Sequence, residues 1–68
     1  MLHRYQIDLR VKEGNTEKTI KKSIFRKNEL TDSELEEAQL EFIRSTKAIY
    51  KEKGIDLEVL EYGAKEVS

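Results

Sequence analysis

Four apolar residues at strict alternation constrain this chain more than any other feature. Tyr5, Ile7, Leu9 and Val11 are separated by Gln6, Asp8, Arg10 and Lys12. Successive side chains of an extended backbone point to opposite sides, so this run is a β-strand with one dry face and one wet face. A lone strand is not stable in water; it needs neighbours in a sheet and a layer over its dry face. Only 68 residues are available to supply both.

The first neighbour follows at once. Gly14-Asn15 sits where a tight reversal is needed, and both residue types tolerate positive φ. A second β-like run, Thr19 to Phe25, comes next. With a two-residue loop, Leu9 faces Ile20 and Tyr5 faces Ile24 on the inner side, while Asp8 faces Lys21 and Lys12 faces Glu17 on the outer side. Apolar pairs and opposite-charge pairs thus fall on separate faces. Lys22 is the misfit, pointing inward opposite Ile7. Either a bulge near Lys21-Lys22 re-aims it or its stem snorkels at the sheet margin.

The covering layer is a helix. Thr31-Asp32-Ser33-Glu34 is a capping box, and Leu30 and Leu35 occupy the staple positions around it. Leu35, Ala38, Phe42, Ile43, Thr46, Ile49 and Tyr50 then form one apolar stripe. Gly54 stands where a left-handed C-cap is expected, so residues 32 to 53 span about 33 Å of helix. Beyond it Ile55, Leu57 and Val59 alternate with charge, giving a third strand that Gly63 is expected to end. Residues 64–68 read as a frayed tail.

The expected fold is therefore α+β, in the order ββαβ, as a single small domain over residues 1–63. Its three-stranded sheet has the order 2-1-3, with one long amphipathic helix on one face and the other face open. The core is expected to hold Tyr5, Ile7, Leu9, Val11, Ile20, Ile24, Leu35, Ala38, Phe42, Ile43, Ile49, Leu57 and Val59, with Phe42 at its centre.

Composition closes off several function classes. Without cysteine there is no disulfide and no thiol nucleophile, and His3 is the only histidine, too few ligands for a zinc set. Ser23, Ser33, Ser45 and Ser68 stand in no recognisable spacing to it, and no glycine-rich phosphate loop exists. An enzyme is not expected, nor a metal or other cofactor. His3 reads as a solvated side chain. The N-terminal residues are interrupted by charge, and no run approaches the roughly 20 apolar residues of a membrane span, so a cytoplasmic location and no membrane partner are expected. Charged residues make up 40% of the chain but balance to a net −1, which together with regular apolar spacing argues for a folded domain.

Charge is nevertheless segregated. Residues 1–28 hold eight basic against three acidic residues, a net of +5; residues 29–68 hold five against eleven, a net of −6. The acidic helix start (Glu34, Glu36, Glu37, Glu41) and its basic second half (Arg44, Lys47, Lys51, Lys53) complement the helix dipole. The basic hairpin has three readings. Arg4, Arg10, Lys12 and Lys21 beside Phe25 on the open face suit nucleic acid, through phosphate contact and base stacking. Lysines on an edge strand also guard against aggregation. An acidic protein partner is the third. An apolar set off the main core, Phe25, Leu40, Leu60 and Tyr62, is the candidate protein interface, with Leu60 and Tyr62 expected on the open face.

In outline, a hairpin followed by a capped amphipathic helix over residues 4–50 is similar to the small N-terminal arm-binding domains of some tyrosine recombinases. Those bind DNA with a three-stranded sheet. This chain departs from them in having two strands before the helix and one after it, and no family-specific residue carries over. The leading expectation is a non-catalytic interaction module, for a protein partner or for self-association, of the accessory or regulatory kind found in bacteria and mobile elements. Nucleic-acid binding through the basic hairpin is the alternative.

Overall fold

A computed structural model describes residues 1–67. The chain runs β1 (His3–Glu13), β2 (Thr16–Arg26), α1 (Asp32–Glu52) and β3 (Leu57–Val67). The sheet order is β2-β1-β3, with β1 antiparallel to both neighbours. This is the expected α+β fold with one helix and a three-stranded sheet. The molecule is 40 × 19 × 17 Å, its length set by strands of eleven residues each.

The hairpin register is the one the loop length dictates: Leu9 opposes Ile20, Tyr5 opposes Ile24 and Asp8 opposes Lys21. Of the two loop residues only Gly14 takes positive φ, at 60°, the pattern of a turn with glycine at its first central position. The register from Glu13–Thr16 to His3–Arg26 is unbroken, so no bulge re-aims Lys22. Its stem snorkels instead: the ammonium stands 5.3 Å from the centroid of the Phe42 ring.

Both helix ends are closed as their residues require. The Thr31 hydroxyl accepts the Glu34 amide at 3.1 Å, and the Glu34 carboxylate accepts the Thr31 amide at 2.9 Å. At the other end Gly54 has φ +79°. Its amide donates to the Lys51 carbonyl at 2.9 Å, and that of Ile55 to the Tyr50 carbonyl at 3.0 Å, a Schellman closure.

The third strand departs from expectation. It does not stop at Gly63: residues 64–67 pair with residues 4–7, so this stretch is strand rather than tail. Ser68 lies outside the described residues. A register shift falls where Arg10 faces Glu61 but Val11 faces Val59, leaving Leu60 as the extra residue of a bulge. A one-residue insertion exchanges the faces of everything beyond it. Leu57 and Val59 face the helix as expected, but so do Tyr62 and Ala64, opposite Leu9 and Ile7.

The core is centred on the sheet, not on the helix. Ile7, Leu9 and Val11 are the most deeply buried side chains, joined by Tyr5, Ile24 and Leu57. Leu30, Leu35, Phe42, Ile43 and Tyr50 pack against them while staying half-buried. The Tyr5 hydroxyl, carried by a buried ring, accepts the Leu30 amide at 2.8 Å and ties the helix approach to β1. Ile49, expected in the core, is 55% exposed. It shares a flank with Phe42 and Ser45 at helical spacing, and that flank looks toward β2, while α1 sits closer to β3. Phe42, too, lies at the core margin.

Two outcomes test this description. Leu9→Ala should cost about 3 kcal/mol, comparable with the whole stability of so small a domain, and abolish a cooperative thermal transition. Ile49→Ser should leave Tm within about 3 °C of the parent. The Glu34 carboxyl is held below its ordinary value of 4.5, first by the Thr31 amide and then by its hydroxyl. A lowered folded value gives stability that is complete above pH 4.5 and is lost as pH falls through the folded value. The stability advantage of the parent over Glu34→Gln, read by urea unfolding, should therefore shrink between neutral pH and about pH 3.

Candidate interaction surface

The open face is a lattice of alternating charge. Arg4, Arg10 and Lys12 project from β1 and Lys21 from β2, sharing one face as the pleat requires. Lys65 of β3 joins them, opposite Gln6. Asp8, Glu17, Glu58 and Glu61 stand on the same face, so five cations are interleaved with four carboxylates. Arg10 lies 3.6 Å from Glu17 and 3.8 Å from Glu61, bridging both edge strands. Gly63, opposite Asp8 and without a side chain, leaves a shallow depression of about 310 Å³ beside Arg10 and Glu61. Phosphate contact needs uncompensated cations, and here the central one is already doubly paired.

The four candidate interface residues do not form one patch. Phe25 is on the open face beside Arg4, 54% exposed. Tyr62 is on the opposite face, contrary to expectation, because of the bulge at Leu60. Its hydroxyl donates to the Glu36 carboxylate of α1 at 2.8 Å. Leu60 is half-buried at the bulge itself. Leu40 is half-buried on the helix flank it shares with Glu36, which faces β3. The sequence carries the signal for this shift. Apolar positions switch from odd numbers at Leu57 and Val59 to even ones at Leu60, Tyr62 and Ala64, and a glycine lies within the strand.

A different surface is built on the β2 side. Because α1 leans toward β3, the inner face of β2 is incompletely covered, and an open cleft of about 310 Å³ runs between it and the helix. Ile7, Ile24 and Phe42 form its floor, Lys22 and Arg26 one wall, and Glu41 the other. The cleft is prolonged past Arg26 toward Leu30 and Glu34 by a second hollow of about 270 Å³, and exposed Ile49 continues its helix flank the other way. The misfit of Lys22 was the sequence-level sign of this cleft: a charged residue at an inward position marks where the cover stops.

β2 is also an edge strand. Its eleven residues carry Lys18, Lys21, Lys22 and Arg26 against Glu17 alone. Lys18 is engaged: it stands 4.7 Å from the Tyr50 ring centroid and 3.3 Å from the Glu13 carboxylate. Tyr50 first, and then Glu13, hold its ammonium above the ordinary lysine value. Among the described residues, Lys21, Lys22, Arg26 and Lys27 have no carboxylate within ion-pair distance. The opposite edge, β3, is bulged at Leu60, and two of its carboxylates are engaged: Glu61 with Arg10 and Glu66 with His3, the latter at 2.7 Å. His3 is therefore paired rather than simply solvated.

Among the described residues no cluster of three or more His, Cys, Asp or Glu side chains could hold a metal ion. Among the same residues no helix is long and apolar enough to cross a membrane. No family model, curated protein or solved structure matches the chain, and the likeness to recombinase arm-binding domains stays one of outline.

The face assignment of Tyr62 is directly testable. Its phenol is pushed above the ordinary value of 10.0, first by the hydrogen bond to Glu36 and then by that carboxylate's charge. In Glu36→Gln the Tyr62 ring resonances should titrate at lower pH than in the parent. If Tyr62 faced away from the helix, the substitution would leave its titration where it was.

Proposed function

We propose that the chain is a non-catalytic protein-interaction module whose working surface is the β2 side of the molecule. The observation that carries this reading is the asymmetry of the two sheet edges. β3 has a bulge, the usual device by which a protein blunts an edge, and it is flanked by the helix that leans toward it. β2 is regular over its whole length and has no bulge or proline. The cleft beside it has an apolar floor. A regular edge next to a groove with an apolar floor and charged walls suits an extended peptide, with main-chain hydrogen bonds for affinity and the groove for selectivity.

Self-pairing through β2 is opposed by charge. Two copies paired over the full length of β2 would have their twofold axis at Lys21, the middle residue of the strand, and would set that lysine against its own image; like charges directly across a ladder are destabilising. Nucleic acid is disfavoured by the carboxylates interleaved on the open face and by the pairing of Arg10.

The test is site-specific photo-crosslinking in cells that produce the chain. A benzophenone side chain in place of Thr19, on the β2 edge, should yield covalent protein adducts. The same group in place of Lys65, on the open face of β3, should yield few. Adducts only at position 65, or adducts made of nucleic acid alone, would refute the proposal.

A further inference from the structure

Resting on that reading, we infer that the β2 edge takes an acidic extended segment of a partner protein as a fourth strand. The backbone comes first. An antiparallel ladder alternates hydrogen-bonded and non-bonded pairs, and a two-residue turn closes on a bonded pair, here Glu13–Thr16. Even-numbered residues of β2 therefore spend their amides and carbonyls on β1. Glu17, Thr19, Lys21, Ser23 and Phe25 turn theirs outward. The Phe25 carbonyl already accepts the Arg26 guanidinium at 2.8 Å, which leaves four complete donor–acceptor sets, Glu17 to Ser23, and the Phe25 amide on one straight edge, long enough for an added strand of ordinary length.

The side chains then specify what can lie there. An added strand sits about 4.8 Å from β2, with its own side chains alternating between the two faces. On the open face it meets Lys21 and Phe25; on the helix side it meets Lys22, Ile24 and Arg26 at the mouth of the cleft. Among the described residues none of Lys21, Lys22 and Arg26 has a carboxylate of its own chain within ion-pair distance. A segment with carboxylates at the positions reaching them, and apolar residues opposite Ile24 and Phe25, would complete both faces. A basic or neutral strand would leave three cations in a row unanswered while lowering their hydration.

The chain's own acidic strand does not meet this requirement. β3 is interrupted by the Leu60 bulge, and its Glu61 and Glu66 are held by Arg10 and His3. An open-ended stack of copies joined β2 to β3 would meet a bulged edge and two carboxylates that are already engaged. The occupant is therefore a segment of a different protein.

The experiment uses the full chain, isotopically labelled, and follows amide hydrogen exchange by NMR. The probe is a capped peptide of about eight residues in which Glu-Glu and Val-Val pairs alternate, so that each face carries both carboxylates and valines; its counterpart has Lys-Lys in place of Glu-Glu, and a single-stranded oligothymidylate is the third addition. With the acidic peptide near saturation, exchange at Thr19, Lys21 and Ser23 should slow about tenfold, while the already bonded amides of Ile20 and Lys22 change little. The lysine peptide and the oligonucleotide should leave all five unchanged. The effect should fall steeply with added salt and vanish in the Lys21→Glu, Lys22→Glu double variant. Both sites are exposed, and the circular dichroism of the variant reports that it is folded.

Unchanged exchange at Thr19, Lys21 and Ser23, protection confined to β3, or protection by the oligonucleotide instead of the peptide would each overturn the inference. If the peptide fails while crosslinking at position 19 still captures protein, interaction at the β2 side stands and strand addition falls. If neither is seen, both fall.

Discussion

The inner column of β1 is the constraint on which the rest of the molecule depends. Ile7, Leu9 and Val11 are the most deeply buried side chains, and Tyr5 above them carries the hydroxyl that fixes the start of α1 through the Leu30 amide. Both other strands pair with β1 and neither pairs with the other. The helix touches this column from one side only, so its own apolar residues stay half-buried. A domain this small exposes a large share of its surface. Where that exposure falls is decided by the lean of a single helix toward β3.

That lean makes the two sides of the sheet different in kind. On the β3 side Tyr62 meets Glu36, Leu40 is half-buried, and the edge is bulged. On the β2 side Lys22 crosses the margin to the Phe42 ring, a cleft opens, and Ile49 is left out in water. The segregation of charge along the chain acquires a spatial meaning in consequence. The basic hairpin lines its regular edge with Lys21, Lys22 and Arg26, none of them in an ion pair among the described residues, whereas the open face as a whole, with five cations and four carboxylates, is close to neutral.

The fold was legible because its determinants are local. Four alternating residues, a two-residue loop, a capping box and a C-cap glycine each specify their own element, and the loop length sets the hairpin register through Tyr5–Ile24 and Leu9–Ile20. The features that were not legible all depend on how elements meet. The bulge at Leu60 arises only when β3 is laid against β1, and it moved Tyr62 to the helix side. The exposure of Ile49 depends on where the helix axis lies over the sheet, which a periodic stripe does not encode. The candidate apolar set was scattered for the same reason: Phe25, Leu40, Leu60 and Tyr62 were grouped by parity and angle, and one inserted residue changed the parity.

The pairing of Arg4 with Val67, reinforced by the His3–Glu66 contact, has a consequence for the architecture of any larger assembly. The first and last strands begin and finish side by side at one end of the sheet. Topologically the chain is almost a ring, nicked at that corner. Its pairings would survive if the nick were sealed with a short connector and moved to the tip at Gly14-Asn15, the kind of change that exposed loop tips accept. A unit of this form can be slotted into a host loop as easily as strung on a thread, because both of its ends leave through the same door.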